Sequence, residues 1–300
     1  MSSVIRGTRR NKIASPEGPA PTEPRSDVLL GKLLLDAGKL TEIDVNRVAA
    51  AQRKKNLRFG ETAERLGLVS PEDVSRALAQ QFRYPYVTGD SHLDLSLIAA
   101  YEPFSPATEA LRELRSQLLL RWPETQRKTL AVISPRKRSG CSHLAANLAI
   151  VFAQLGHRTL LVDANFRQPA QQALFGITSG AGLSNLLAGH CDLEENVLIP
   201  IAPFEHLHVL CAGTQPPNPQ ELLSRVTFRY LIETAPTSFD MVIIDTPPIL
   251  EYADAQIVAA TAGGCLLAMR RHRTRLADVE SARAKFAPAR AVLLGTAIVG

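Results

Sequence analysis

The sequence predicts a doubly wound α/β domain with a mainly parallel sheet, preceded by a small all-α module of two helix-turn-helix copies. Three observations lead to this prediction. Apolar runs of strand length alternate with helical patterns from residue 130 onward. The first of these runs leads into a loop over residues 134–142, rich in turn residues and cations, and a helical pattern follows. Before the domain, residues 29–87 repeat one pattern of helices and glycines at a constant period.

Composition limits the classes of function. The chain has 300 residues, 45% of them hydrophobic, and a formal net charge of +5. This length suits two domains, and the dispersed basic residues give no reason to expect a nucleic-acid partner. The four cysteines lie far apart without metal-ligand spacing, which fits a reducing cytosol. Because no apolar run approaches the roughly 20 residues that span a bilayer, we expect a cytoplasmic protein that reaches the inner membrane only through a partner.

The N-terminal part divides into a tail and a helical module. Residues 1–28 are rich in proline, serine, glycine and charge, which predicts a disordered tail. Within residues 29–87, a short helix in each copy ends at a glycine, Gly38 or Gly67, where a left-handed backbone costs little. A second helix then begins after a good N-cap residue. The apolar face of each copy needs the other copy, so the pair forms one module.

The repeat resembles the MshEN family, also found at the N-terminus of type II secretion ATPases, whose paired copies bind cyclic di-GMP. That resemblance implies a cyclic di-GMP site at the matching residues, which are Gly31, Gln52, Arg58, Gly60 and Gln81. Leu29 stands where the first copy of the pattern has arginine, the side chain that clamps a phosphate or a guanine edge. The alternative is a protein-docking module that binds no ligand.

A linker and a charged helix come next. Residues 88–107 contain turn residues and one short helical piece, which predicts a linker. The following helix, near residues 108–122, carries Glu109, Arg112 and Arg115 at spacings of three on one stripe. Such a stripe is typical of a solvated face with an internal ion pair. It also resembles the Glu-x-x-Arg-x-x-Arg oligomerisation motif of bacterial tyrosine kinases, which implies a head-to-tail ring of copies.

The nucleotide-binding domain is predicted over residues 108–300. Its predicted strands are the apolar runs Leu130–Ile133, Thr159–Val162, Leu207–Leu210, Met241–Ile244, Gly264–Ala268 and Val292–Val299. In a doubly wound sheet, ligands bind at the carboxyl ends of the strands. Three of the runs end at residues suited to phosphate chemistry, namely the loop 134–142, Asp163 and Asp245.

The loop resembles a P-loop, so the domain resembles P-loop NTPases. In such a loop, glycines let backbone N–H groups converge on phosphates, a lysine bridges the outer phosphates, and a serine or threonine ligates Mg²⁺. Here Ser142 can serve the metal, whereas Cys141 stands at the lysine position and Arg138 at a glycine position. The resemblance implies ATP and Mg²⁺ as cofactors. The implied nucleotide contacts are Lys137, Arg138, Ser139, Gly140, Cys141, Ser142 and His143.

Two acidic motifs complete the predicted site. The segment from Asp163 to Arg167 resembles the second acidic motif of bacterial tyrosine kinases, and Asp245 ends a strand that matches their Walker B motif. The resemblance implies that Asp163 and Asp245 are catalytic and bind the metal, with Ser142, and that Arg167 contacts the nucleotide. Asn165 replaces an aspartate of the family pattern and adds no charge for Mg²⁺. The alternative for each aspartate is an N-cap or a surface carboxylate.

The family resemblance covers nearly everything after Thr108. It includes the stretches Ala145–Ala149, Pro216–Leu223 and Tyr252–Gln256. With the helical module in front, the chain is similar to the EpsG type of chain-length-determinant tyrosine kinases in exopolysaccharide biosynthesis. This resemblance implies a cytoplasmic, ATP-dependent tyrosine autokinase whose partner is a membrane chain-length determinant of the Wzz-like kind. The sequence ends at Gly300 without the tyrosine cluster that such kinases phosphorylate, so we expect weak or lost autophosphorylation.

Three functions therefore stay open. The first is an autokinase that uses Asp163, Asp245 and a substitute cation. The second is a pseudokinase adaptor in the same export system, because losing a lysine and a carboxylate removes the charges that phosphoryl transfer needs. The third is a ParA- or MinD-like positioning ATPase, which shares the fold and would need a lysine early in the loop. Lys137 is the candidate for that lysine.

Overall fold

The computed structural model describes residues 26–55, 57–122, 128–178, 180–193, 197–289 and 291–300. Residues 1–25 of the predicted tail lie outside these ranges. The chain divides into two compact units, one ending at Arg83 and the other running from Tyr84 to Gly300. Within the described residues, no helix is both long enough and apolar enough to cross a lipid bilayer.

The first unit contains two helical hairpins. Its helices are α1 (Ser26–Asp36), α2 (Glu42–Lys55), α3 (Phe59–Arg65) and α4 (Pro71–Gln81). Gly38 and Gly67, after α1 and α3, have φ angles of +66° and +67°, which let the chain turn at little cost. Ser70 caps α4 by accepting a hydrogen bond from the Asp73 backbone N–H, and the Asp73 carboxylate bonds back to the Ser70 N–H. The repeated sequence thus produces a repeated local structure.

Two glycines bring the helices of this unit close together. A Cβ atom on Gly31 would lie 3.1 Å from the Phe59 ring, and one on Gly60 would lie 2.8 Å from Cγ1 of Val74. Phe59 and Val74 belong to the small buried core of the unit. Gly31 and Gly60, both of the predicted cyclic di-GMP site, therefore serve helix packing in this structure. The ligand itself stays a prediction.

The second unit is built on one sheet, in which the described residues form seven strands. The strands are β1 (Thr129–Ile133), β2 (Thr159–Asp163), β3 (Leu198–Ile201), β4 (Phe204–Leu210), β5 (Met241–Asp245), β6 (Gly264–Arg270) and β7 (Val292–Val299). Their order is β3-β4-β2-β5-β1-β6-β7, and all neighbours are parallel except β3 with β4. This arrangement confirms the predicted mainly parallel sheet. The antiparallel edge strand β3 was not expected.

Helices cover both faces of the sheet. They are α5 (Ile98–Tyr101), α6 (Pro106–Arg121), α7 (Cys141–Gln154), α8 (Gln171–Leu174), α9 (Leu183–Leu187), α10 (Pro219–Leu223), α11 (Val226–Thr234), α12 (Asp254–Ala262) and α13 (Leu276–Phe286). Two buried apolar clusters lie on opposite faces, one around α7 and one around α12. Such double coverage explains why β1, β2 and β5 are buried along their whole length.

Residues 84–105, part of which composition predicts to be a linker, pack onto α7. Leu97, Ala99 and Ala100 are fully buried in the core of the second unit. The Asn147 Oδ1 atom accepts a hydrogen bond of 2.9 Å from the Ala99 backbone N–H, and Gln154 Nε2 donates to the Ala99 carbonyl at 2.9 Å. Polar side chains of a helix thus hold this segment, and a pattern of local turn residues cannot reveal such contacts.

A candidate nucleotide site at the carboxyl edge of the sheet

The central strands bring the predicted site residues to one edge. β1 lies beside β5, and β5 lies beside β2, with Val132 and Asp163 each paired in register with Asp245. The loop after β1 therefore passes next to both acidic side chains before it enters α7. The positive end of α7, a helix of 14 residues, faces the same edge.

The loop has a left-handed backbone at two positions just before α7. Arg138 has a φ angle of +62° and Gly140 one of +79°, both in the left-handed region. Gly140 is also the N-cap of α7, and a Cβ atom there would lie 3.2 Å from Cγ1 of Val299. The buried Ser139 hydroxyl donates to the Arg136 carbonyl at 2.6 Å. Arg138 thus adopts a conformation that glycine adopts more easily.

Cys141 is turned into the protein. Its side chain is buried, and Sγ donates a hydrogen bond of 3.2 Å to the Val132 carbonyl, with the Thr246 carbonyl 3.8 Å away. Burial, together with the nearby Asp245 charge, raises the pKa of the Cys141 thiol well above its usual range. The group at the lysine position is therefore a neutral, inward-facing thiol. It supplies neither a cation nor a thiolate.

Asp163 is fully buried and accepts three backbone hydrogen bonds. Oδ1 accepts from the Asn165 N–H at 3.1 Å, and Oδ2 accepts from the Ala170 and Gln171 N–H groups at 3.0 Å each. Burial, and then the charge of Asp245, raise the pKa of Asp163 to about 7 against the effect of these hydrogen bonds. Both aspartates lie inside the protein, which argues against the surface-carboxylate alternative.

Asp245 is fully buried as well, and its two oxygens differ. Oδ2 accepts a hydrogen bond of 2.8 Å from Gln171 Nε2, whereas Oδ1 has no partner among the described residues. Burial raises the pKa of Asp245, and the Ser142 hydroxyl and the Gln171 amide oppose that rise. An unpaired buried carboxylate oxygen is a costly arrangement that a cation or a donor would relieve. Asp163, Asp245 and the adjacent Ser142 hydroxyl therefore fit a Mg²⁺ ion, which prefers oxygen ligands.

The neighbouring cations are largely engaged with carboxylates. Lys137 Nζ lies 3.2 Å from Glu251, and Arg167 Nε lies 3.0 Å from the buried Asp254. Both cations also approach the Tyr252 ring, at 5.7 Å and 4.7 Å from its centroid. The structure places these two predicted nucleotide contacts against the segment from Glu251 to Asp254.

Arg138 and His143 differ from Lys137 and Arg167. Both side chains are exposed, and Arg138 makes no ion pair with any carboxylate of the described residues. The Arg138 carbonyl accepts a hydrogen bond of 3.3 Å from Arg270 Nη1. Asn165 uses its side chain locally, because Oδ1 accepts from the Gln168 N–H at 3.1 Å. Of the cations in the loop, Arg138 is thus the one best placed to turn toward an anion.

The charged stripe of α6 makes contacts inside its own unit. Arg112 donates to Glu109 at 2.8 Å, to the Tyr84 hydroxyl at 2.9 Å and to the Pro103 carbonyl. Arg115 donates to the Val151 carbonyl at 2.6 Å. Glu109 remains 70% exposed. The two predicted oligomerisation arginines therefore have partners within one chain, and the ring stays a prediction.

Comparisons with known proteins agree with this geometry. No protein-family model matches the chain. The tyrosine-protein kinase YwqD of Bacillus subtilis is 36% identical over 210 residues, covering 70% of this chain and 88% of YwqD. The kinase domain of Escherichia coli tyrosine kinase ETK matches with a TM-score of 0.66 and 30% identity, covering 74% of this chain and 86% of that one. The crystal structure of the chimerical protein CapA2B2 matches with a TM-score of 0.65 and 31% identity, covering 74% of this chain and 97% of that one.

Proposed function

Since the chain belongs to the family of bacterial tyrosine kinases, we propose that it binds ATP with Mg²⁺ at the loop 134–142 and acts as a kinase-like adaptor in exopolysaccharide export. The observation that carries this proposal is a buried pair of aspartates beside a helix N-terminus whose lysine position holds a neutral thiol. The aspartates favour retained nucleotide binding, and the thiol favours weakened phosphoryl transfer.

The residues of the site would divide the work of binding. Backbone N–H groups at the start of α7 would face the phosphates, and the helix dipole favours anions at this end. Ser142, Asp163 and Asp245 would hold Mg²⁺, which neutralises phosphate charge when bound. Among the described residues, no three His, Cys, Asp or Glu side chains are grouped to hold a metal ion alone. Nucleotide oxygens would therefore supply the remaining ligands, as is usual for Mg²⁺.

Phosphoryl transfer needs more fixed positive charge at the site than nucleotide binding does. The transition state spreads charge over the transferred group, and fixed cations stabilise it. Cys141 offers none, and Lys137 and Arg167 are paired with Glu251 and Asp254. Arg138 is the cation that could substitute. This shortage of cations favours the adaptor. An autokinase at the same site is the alternative.

The export role follows from the family resemblance. We propose a cytoplasmic protein that acts through a membrane chain-length determinant, with nucleotide occupancy altering that contact. Glu109 on α6 is paired with Arg112 but stays exposed, which leaves it accessible to a contact with another copy. Membership of the kinase family argues against the positioning-ATPase alternative, and the pairing of Lys137 with Glu251 argues against it as well.

Calorimetry of the purified chain with ATP and Mg²⁺ tests the binding proposal. We expect micromolar binding by the wild type and a loss of most of it in Asp245→Asn. Asp240→Asn is the matched control, because Asp240 precedes the amino end of the same strand and pairs on the surface with Arg158. Absence of heat in the wild type would refute the proposal, and so would equal binding by Asp245→Asn.

A further inference from the structure

Gln171 touches both acidic side chains of the candidate site. It is the first residue of α8, and it is fully buried. Its backbone N–H donates to Asp163 Oδ2 at 3.0 Å. Its side-chain Nε2 donates to Asp245 Oδ2 at 2.8 Å and to the Ser142 carbonyl at 3.1 Å. One residue thus connects β2, β5 and the first turn of α7. No motif in the sequence draws attention to it.

Chemistry determines the orientation of this amide. Both partners of the Gln171 side chain are acceptors, so only the NH₂ end can face them. The opposite oxygen, Gln171 Oε1, is buried without a hydrogen-bond partner among the described residues, and so is Asp245 Oδ1. Two unpaired acceptor oxygens, both within this cluster, indicate that a donor or a cation belongs beside them.

We propose that Gln171 is a positioning residue that holds Asp245 by one oxygen and leaves the other oxygen free for Mg²⁺. This inference rests on the proposed function, because it assigns a role at the same metal site. A carboxylate held on one side presents its second oxygen in a fixed direction. Outer-shell hydrogen bonds of this kind orient metal ligands, and losing one costs about 10- to 100-fold in metal affinity.

The hydrogen bond from Gln171 to the Ser142 carbonyl gives Gln171 a positioning role toward a second proposed Mg²⁺ ligand. Ser142 supplies both the carbonyl that Gln171 holds and the hydroxyl assigned to the metal. By connecting the Ser142 backbone to Asp245, the Gln171 amide fixes the spacing between two of the three residues that would ligate Mg²⁺. Its removal should therefore weaken metal-dependent binding of nucleotide more than metal-independent binding.

The test compares ADP binding in Mg²⁺ with ADP binding in EDTA, measured by calorimetry on the full chain. Gln171→Met keeps the length of the side chain and removes its hydrogen bonds. We expect about 10- to 100-fold weaker ADP binding in Mg²⁺ and little change in EDTA. Gln168→Met is the control, because Gln168 lies on the surface three positions earlier in the chain.

Melting curves show whether each variant is folded, and a second variant replaces Gln171→Met if that one folds poorly. The second variant is Gln171→Asn, whose side chain is too short to reach Asp245 and which should show the same selective loss. Loss of the same size in Mg²⁺ and EDTA would indicate general damage and overturn the inference, as would unchanged binding. If the wild type itself fails to bind ADP with Mg²⁺, the proposed function fails. If the wild type binds ADP with Mg²⁺ and the Gln171 variants bind it equally well, the inference fails and the proposed function stands.

Discussion

Replacing Cys141 with lysine should restore a cation at the first position of α7. The thiol now points inward to the Val132 carbonyl, so the longer side chain must turn outward toward the mouth of the loop. A hydrogen bond between a charged donor and its acceptor contributes about 1.5–3 kcal/mol. Because about 1.4 kcal/mol corresponds to a tenfold change in affinity, we expect ATP to bind roughly 10- to 150-fold more tightly to Cys141→Lys.

The substitution should also destabilise the folded protein, and the assay must separate this effect from the change in ATP affinity. The buried thiol loses its weak hydrogen bond and its packing, so the melting temperature should fall slightly without nucleotide. Cys141→Met is the matched control, because methionine has a similar length and no charge. Calorimetry with ATP and Mg²⁺ should give tighter binding for Cys141→Lys alone. Equal affinity in all three proteins, or equal tightening by methionine, would refute the argument from charge.

Three further predictions concern pH, backbone conformation and the helical module. Folding raises the pKa of Asp163 to about 7, so between the ordinary aspartate pKa and pH 7 the folded protein keeps a proton on Asp163 that the unfolded chain has lost. The free energy of unfolding of the metal-free protein should therefore fall between about pH 4 and pH 7, by at most about 4 kcal/mol, and then level off. Urea unfolding at several pH values should show a much smaller slope for Asp163→Asn, and an unchanged slope would contradict this. Arg138→Gly should raise stability by about 0.5–1 kcal/mol, because the φ angle of +62° strains a residue with a Cβ atom. Arg136→Gly, at a position without positive φ, should not stabilise, and chemical unfolding of both variants provides the comparison. Cyclic di-GMP at high micromolar concentration should give no heat with the full chain, because Gly31 and Gly60 pack against Phe59 and Val74 and Leu29 replaces an arginine; submicromolar binding would show that this packing does not block a site.

Much of the fold could be predicted because parallel, doubly covered strands have continuous apolar sequences. The six strands that pair in parallel with at least one neighbour all coincide with such runs or extend them by a few residues. Strand β3 was missed for a physical reason. It is an antiparallel edge strand, only partly buried, and it contains Pro200, which cannot donate to a ladder.

The packing of residues 84–105 could not be predicted from local pattern. Turn residues interrupt the apolar residues of this segment, and its position depends on contacts with α7. Tyr84 donates to Gln154 at 2.9 Å across 70 residues of sequence. Asn147, which in the sequence is only one residue of a family motif, accepts a hydrogen bond from the Ala99 backbone N–H. Long-range side-chain hydrogen bonds of this kind leave no periodic signal.

The candidate site, like the fold, could be predicted from the sequence only in part. Strand ends and loop spacing placed Asp163, Asp245 and Ser142 together, because parallel strands bring their carboxyl ends to one edge. The sequence could not show that Lys137 pairs with Glu251, 114 positions away. It gave no sign of Gln171 either, since an isolated glutamine has no motif and its importance depends on which carboxylates the fold brings to it.

We propose that the chain binds ATP but transfers phosphate poorly because Cys141 occupies the lysine position. Transfer of radiolabelled phosphate from ATP to a synthetic glutamate-tyrosine copolymer is a direct test. The supplied acceptor makes the result independent of tyrosines in the chain itself. We predict little labelling by the wild type and clear labelling by Cys141→Lys at equal protein and saturating ATP. Labelling by the wild type that matches the variant would show that the missing lysine does not limit phosphoryl transfer.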